Sequence, residues 1–470
     1  VPLGAIPASG FATLTRESIA VSQSVHPVDE ILPLPRLFAL GLQHVLVMYA
    51  NAVAVPLIVG GALHLPKEQI ALLINADLFA CGIATLVQAV GIGPFGIRLP
   101  VIMGVTAVAI SPMLAMADMP GVGLNGIYGA VLVGGLYGLL VVPFVHRVLR
   151  FFPAVVTGSI ITMIGISLMR VGIGWAGGDA ASADFGAAGY LAVAALVLVI
   201  ILLVIKFARG FLANLSVLIG IAAGYVLTIA LGWTDFTGLS EVGWLHIVLP
   251  LQFGWPTFQL VPCLIMCLVV TIVFIEATGM FLALGAMTGR TVAAQDIKRG
   301  LRADSLGTLI GGLFNTFPYV SYSQNIGLVG VTGVYSRWVC AAGGVIMLAL
   351  GLVPKLAFIV ASVPQCVLGG AGFIMFGMVA ATGIKILATV DFTTQRHNVL
   401  IVAIAIGFGM IPIVSPNFFH IVPVVLKPIF GDAIIMTSLA AVLLNAYFNR
   451  TNAAKAQADS LLAAQGAGHI

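Results

Sequence analysis

Apolar residues run in long blocks along this chain, each about the length of a membrane crossing and each closed by a short polar turn. A helix needs roughly 20 apolar residues to span a bilayer's hydrocarbon core. The blocks predict fourteen such segments, at 38–62, 70–90, 97–116, 124–145, 153–174, 187–207, 212–231, 258–286, 298–316, 318–336, 338–360, 364–388, 397–414 and 432–449. Two of them are interrupted. The third, RLPVIMGVTAVAISPMLAM (98–116), is broken at Gly104 and carries Pro100 and Pro112. The tenth, PYVSYSQNIGLVGVTGVYSRWV (318–339), opens on Pro318 and a β-branched and aromatic run, then turns polar through Gln324 and Asn325. It continues with Gly327, Gly330 and Gly333.

Each interrupted segment is the third of a set of seven. Matching interruptions in two halves are the sequence mark of an inverted repeat, and an odd number of crossings makes the second half enter from the opposite face. Non-helical backbone at membrane depth is tolerated only where it is buried in protein or lines a wet cavity. A half-helix starting there presents free N–H groups and the positive end of its dipole. For the tenth segment the alternative is a glycine-lined helix contact whose polar residues are incidental.

Composition agrees with the pattern. Of 470 residues, 60% are hydrophobic and 8% charged, with mean hydropathy +1.15. A soluble domain carries about 25% charged residues, so a polytopic membrane protein is expected. With fourteen crossings, all Lys and Arg but Lys67, Arg170, Lys355 and Lys427 fall on one side, together with both termini. Cationic residues accumulate on the cytoplasmic side, which puts the termini in the cytoplasm. Residues 1–35 carry no signal-peptide pattern and read as a flexible arm, and 451–470 as a polar tail. The cysteines Cys81, Cys263, Cys267, Cys340 and Cys366 all lie in apolar segments, as small packing residues do, without the spacing of a metal site.

Ionisable residues inside such segments are costly and mark functional sites. Glu276 stands in VTIVFIEATGMFLALG with no Arg in its own segment. Asp304 shares the spacing of one helix face with Thr308, Gly311 and Asn315, although Arg299 and Arg302 allow a boundary ion pair instead. His44, next to Gln43, is either functional or a hydrogen-bonded core residue. Asn75 and Asp77 read as structural groups near an outer end. A carboxylate only accepts hydrogen bonds, whereas a carboxamide both donates and accepts. Glu276 and Gln324 are therefore suited to a planar heterocycle with N–H and C=O groups. Thr106 and Ser111 add hydroxyls, and Tyr319 and Tyr322 add stacking faces. No nucleotide-binding glycine pattern appears. An ion gradient is then the energy source, and the titratable Glu276 and Asp304 point to protons.

These residues resemble a known family. Gln324-Asn325-x-Gly327-x-x-x-x-Thr332-Gly333 is similar to the signature of the nucleobase–ascorbate transporters, joined by Gln43-His44 and by Glu276-x-x-Gly279. The resemblance covers roughly residues 35 to 450 and implies an all-α fold of fourteen segments in two inverted repeats of seven. It implies a core domain (36–145 with 257–360), a gate domain (146–256 with 361–450) and short antiparallel strands in segments 3 and 10. It further implies an elevator-type movement of the core and a homodimer through the gate domains. The substrate site it implies is Glu276 and Gln324, with Thr106, Asn325, Ala277 and Met280 around them, and Asp304, Glu276 and His44 couple the proton. Gln324 favours oxidised purines, and Met280, where many xanthine carriers have Asp, resembles the bacterial urate-permease branch. The expectation is a proton-coupled importer in the inner membrane that takes urate ahead of xanthine, without a cofactor and without nucleic-acid binding. An anion exchanger of the same plan is the runner-up, and a carboxylate at 276 would repel its substrate. A membrane-embedded enzyme finds no supporting constellation.

Overall fold

The computed structural model describes residues 26–117, 119–149, 151–178, 182–322, 324–422 and 427–449; the side chains of residues 51, 148, 149, 324, 427 and 428 are outside this description. The first half contains α1 (Leu34–Ala62), α2 (Lys67–Val90), β1 (Met103–Val105), α3 (Ile110–Ala117), α4 (Gly123–Val141), α5 (Val145–Leu149), α6 (Ala154–Ala176), α7 (Ala188–Phe207), α8 (Phe211–Asn214) and α9 (Ser216–Ala230). The second half contains α10 (Leu260–Thr288), α11 (Ala294–Leu313), β2 (Tyr319–Ser321), α12 (Gln324–Thr332), α13 (Arg337–Gly351), α14 (Pro354–Ala361), α15 (Gln365–Leu387), α16 (His397–Val414), α17 (Lys427–Phe430) and α18 (Ala433–Phe448). Eight described helices are long and apolar enough to cross a membrane, or nine if α13 and α14, bent by 81°, form one span. The protein is a multi-pass membrane protein.

The helices start and stop where local chemistry says they should. Pro66, Pro153 and Pro364 are the N-caps of α2, α6 and α15, where a fixed φ and a missing N–H cost nothing. Gly289, left-handed at φ 69°, ends α10. Large apolar side chains stay exposed along α7, among them Leu196, Leu202 and Leu203, as a lipid-facing helix requires.

Both interrupted segments contain a strand followed by a short helix. β1 and β2 pair antiparallel, with Met103 opposite Ser321, Gly104 opposite Val320 and Val105 opposite Tyr319. The ladder extends at both ends, since Tyr322 N donates to Ile102 O (2.9 Å) and Thr106 N to Pro318 O (3.0 Å). Every strand residue is buried. The pairing satisfies backbone groups that lipid could not. A Cβ at Gly104 would stand 2.9 Å from the Tyr322 ring, so glycine lets that ring lie against the strand.

The most extensive helix pair is α6 with α15, and glycines make it close. A Cβ at Gly165 would overlap the backbone N of Ala380. Overpacking costs about 1–3 kcal/mol where the backbone cannot yield. Gly165→Ala is therefore expected to lower the melting temperature of the detergent-solubilised protein by a few degrees. An unchanged melting temperature would show that the two helices separate without cost.

The expected N-terminal arm is packed where it is described. Val28 is buried, and Asp29 reaches Arg337 at 2.7 Å and Arg290 at 3.4 Å. Arg337 also donates to the last carbonyls of α2, Ala89 O (3.2 Å) and Val90 O (2.7 Å). Residues 1–25 of that arm and the tail from 450 lie outside the described residues.

Candidate functional site

α10 is apolar on almost every side, and Glu276 is the exception near its middle. Glu276 lines a cavity of about 360 Å³ and is the only carboxylate or other formally charged side chain among the described residues that does. That volume falls within the range of small-molecule sites. One part of the wall comes from α1, β1, α10 and α12, through Leu46, Val105, Met280 and Gly327 among others. Much of the remainder comes from α6, α7, α8, α9 and α15, through Ile161, Ile205, Asn214, Ser216 and Phe376. The Glu276 side chain is half-buried and has no hydrogen-bond partner among the described residues. A carboxyl held in an apolar wall, facing open space and unpaired, is an acceptor awaiting a donor.

The other expected site residues fall into three groups. Met280, one turn beyond Glu276, lines the cavity, whereas Ala277 is fully buried behind it. Thr106 sits between the lining residues Val105 and Ala107, but its own hydroxyl is buried and accepts from Val108 N at 3.2 Å, capping a 3-10 turn. Gln324 is the first residue of α12, and its side chain lies outside the described residues. Ser111 donates to Asp432 (3.0 Å), and Asp432 in turn caps α18 through Ile435 N (2.8 Å). Tyr322 lines the cavity. Tyr319 does not: its ring is buried and its hydroxyl donates to Asp77 Oδ1 at 2.6 Å.

Asp304 is placed behind the strands rather than on the cavity. Its Oδ1 accepts from Gln88 Nε2 and from Ser321 Oγ, both at 2.9 Å. Its Oδ2 is buried with no partner among the described residues. Thr308, one turn on, receives the N–H of Tyr319 at 3.2 Å, so this face of α11 is matched to β2. Asn315 has φ 59° and accepts from Phe253 N at 3.2 Å, closing the end of the helix. No ion pair joins Asp304 to Arg299 or Arg302 among the described residues.

His44 and Asn325 meet. The Asn325 amide lies 2.8 Å from His44 Nδ1 and also donates to His44 O at 3.3 Å. The pair ties α1 to the start of α12, two residues before the cavity-lining Gly327. Sequence reasoning missed Gln88, which links Gly300 O, Asp304 and Ser321 and accepts from Ile97 N. Asp77, read from the sequence as a structural group, is a fully buried carboxyl held by Tyr319 and by Thr316 Oγ1 (2.9 Å), and its partners were not foreseen. The available signal was helical spacing, since Asp77, Thr85 and Gln88 follow one face of α2 and all turn to the strand region. Among the described residues, no cluster of three or more His, Cys, Asp or Glu is placed to hold a metal ion.

A family model, Xan_ur_permease, described as a permease family, matches residues 35–418. The chain belongs to the nucleobase–ascorbate transporter family. It is a permease, not an enzyme. Within this family it is 52% identical over 423 residues to the uric acid transporter UacT of Escherichia coli K12, covering 90% of this chain and 88% of that one. It is 42% identical to a xanthine permease of Bacillus subtilis, covering 89% and 94%. It is 40% identical to the uric acid permease PucJ of the same organism, covering 88% and 93%. Among solved structures, the transmembrane domain of the cyanobacterial bicarbonate transporter BicA matches with TM-score 0.55 at 17% identity, covering 89% of this chain and 100% of that one. A murine solute carrier 26 anion transporter in its inward-facing state matches with TM-score 0.57 at 12% identity, covering 92% and 76%. These two likenesses concern the fold alone.

Proposed function

We propose that this permease is a proton-coupled symporter for an oxidised purine base, urate ahead of xanthine. The observation that carries the proposal is the single unpaired carboxyl of Glu276 on an otherwise mainly apolar cavity. Purine diones and triones present ring N–H groups to such an acceptor. Relatives named for uric acid and xanthine at 40–52% identity support the same choice. The site comprises Glu276 and Met280 at the cavity and Gln324 at the start of α12, with Ala277, Thr106 and Asn325 shaping the backbone around it. Asp304, Glu276 and His44 handle the proton.

The transport movement is an elevator-type shift of a core (36–145 and 257–360) against a gate (146–256 and 361–450). A cavity lined from both groups of helices supports this division, because relative movement would open and close it. The fourteen-segment count adds to the long helices the bent α13–α14 pair, the shorter apolar helices, α11, and β2 with α12. The two strand-then-helix segments are then equivalents in inverted repeats. Both termini lie in the cytoplasm, the membrane is the inner one, and two copies associate through their gate faces.

The runner-up reading is an anion exchanger of the same plan. Glu276 opposes it, since an inorganic anion brings no N–H and meets a carboxylate. Only a ligand that binds the folded form stabilises it. Thermal unfolding of the detergent-solubilised chain with urate, xanthine, uracil or sulfate separates the readings. Stabilisation by urate and xanthine is expected, and stabilisation by sulfate alone would overturn the purine assignment.

A further inference from the structure

The cavity's remaining polar side chains divide sharply. Thr157 donates to Phe152 O (3.0 Å) and Thr382 to Met378 O (2.9 Å), so both hydroxyl donors are occupied. Asn214 and Ser216 are different. They flank Leu215, where α8 ends and α9 begins, and both line the cavity. The Asn214 Nδ2 atom is buried and has no partner among the described residues. The Ser216 hydroxyl likewise meets no described partner. A buried amide without a partner is expensive. Exchanging the amide's two terminal atoms does not remove the problem, because neither end is hydrogen-bonded to a described residue. The neighbouring wall is apolar, through Ile205, Val217 and Leu218, so no packing reason calls for a carboxamide here.

We propose that Asn214, with Ser216 beside it, is a further specificity-determining contact, donating a hydrogen bond to a ring carbonyl of the bound purine. This rests on the purine reading above. The chemistry is complementary to Glu276: an ionised carboxylate accepts and cannot donate, so it serves the ring N–H groups and leaves the carbonyls unmatched. Asn214 supplies donors from helices other than α10. A base short of carbonyls would leave the amide unpaired, and a site built to hydrogen-bond a substrate group rejects analogues that lack it.

The test is calorimetric titration of the full chain in detergent with urate, xanthine and hypoxanthine, which carry successively fewer ring carbonyls. Asn214→Ala and the nearly isosteric Asn214→Asp are expected to weaken binding of the carbonyl-rich bases by about tenfold or more, the size of one unpaired buried group. The loss is expected to shrink for the analogue that lacks the contacted carbonyl, with the ligand-free melting temperature unchanged. Wild-type affinities in both variants, or a loss accompanied by a lowered ligand-free melting temperature, overturn the assignment while the purine reading stands; an equal loss for all three bases at an unchanged melting temperature assigns the contact to the one ring carbonyl that all three carry. If Asn214→Ala does not fold, Asn214→Asp decides. A wild-type chain that binds none of the three bases overturns the purine reading and this contact with it.

Discussion

Glu276→Gln is expected to abolish accumulation of urate and xanthine while the protein still reaches the membrane. The substitution keeps the side chain's volume, so α10 and its packing have no reason to change. What changes is the face shown to the cavity. Glu276 is its only carboxylate among the described lining residues, and the ring N–H groups of a purine need an acceptor there. Gln replaces one carboxylate oxygen by an N–H donor, which sets donor against donor and removes the charge assistance. Hydrogen bonds to charged groups contribute about 1.5–3 kcal/mol, which corresponds to roughly tenfold to a hundredfold in affinity. Loss of a proton-accepting group compounds this in an uphill cycle. Uptake of labelled base, normalised to the amount of protein in the membrane, is the measurement. Near-normal uptake by the variant would remove Glu276 from the site.

The parts of this molecule legible in its sequence are those decided locally. Long apolar runs became α1, α2, α6, α10 and α15 because backbone groups in lipid must be satisfied within the helix. The two interrupted segments were visible as Pro and Gly placed where a helix should have continued. That they form antiparallel strands was an expectation from the family resemblance alone, and the register that sets Gly104 opposite Val320 was not readable, since the two strands lie in opposite halves of the chain. Distance in sequence also hid the partners of the buried acids. Nearness in sequence allowed Arg299 and Arg302 as an alternative ion pair for Asp304, yet its partners are Gln88 and Ser321. Asp29 in the expected arm likewise binds arginines beyond any local window. Apolar lining residues such as Ile161 and Ile205 were illegible for another reason: a side chain facing a cavity and one facing lipid are the same type. Asn214 was the exception available, a carboxamide in an apolar stretch.

Asp304→Asn is expected to uncouple transport from the proton gradient more than it removes binding. Asp304 is buried and absent from the cavity wall, so it does not touch the base. Its Oδ1 is committed to Gln88 and Ser321, whereas Oδ2 is buried and unpartnered among the described residues. An isolated charge in such a place is very costly, and a proton on Oδ2 would neutralise it without disturbing either hydrogen bond at Oδ1. Ser321 belongs to β2 and lies between the cavity-lining Val320 and Tyr322, so the carboxyl's charge state acts on the strand that carries part of the wall. Asn can preserve both contacts through its own Oδ1, which makes the fold robust to the change. It cannot take up or release the proton. The variant should bind xanthine or urate within a few-fold of wild type and exchange bound for free base across a membrane. It should fail to accumulate base against a gradient, and its uptake should lose its response to an imposed pH difference. Reconstituted vesicles with a set inside and outside pH measure all three. Uphill, pH-dependent accumulation at the wild-type level would exclude a coupling role for Asp304. Binding and exchange lost together would make it a structural support of β2 instead.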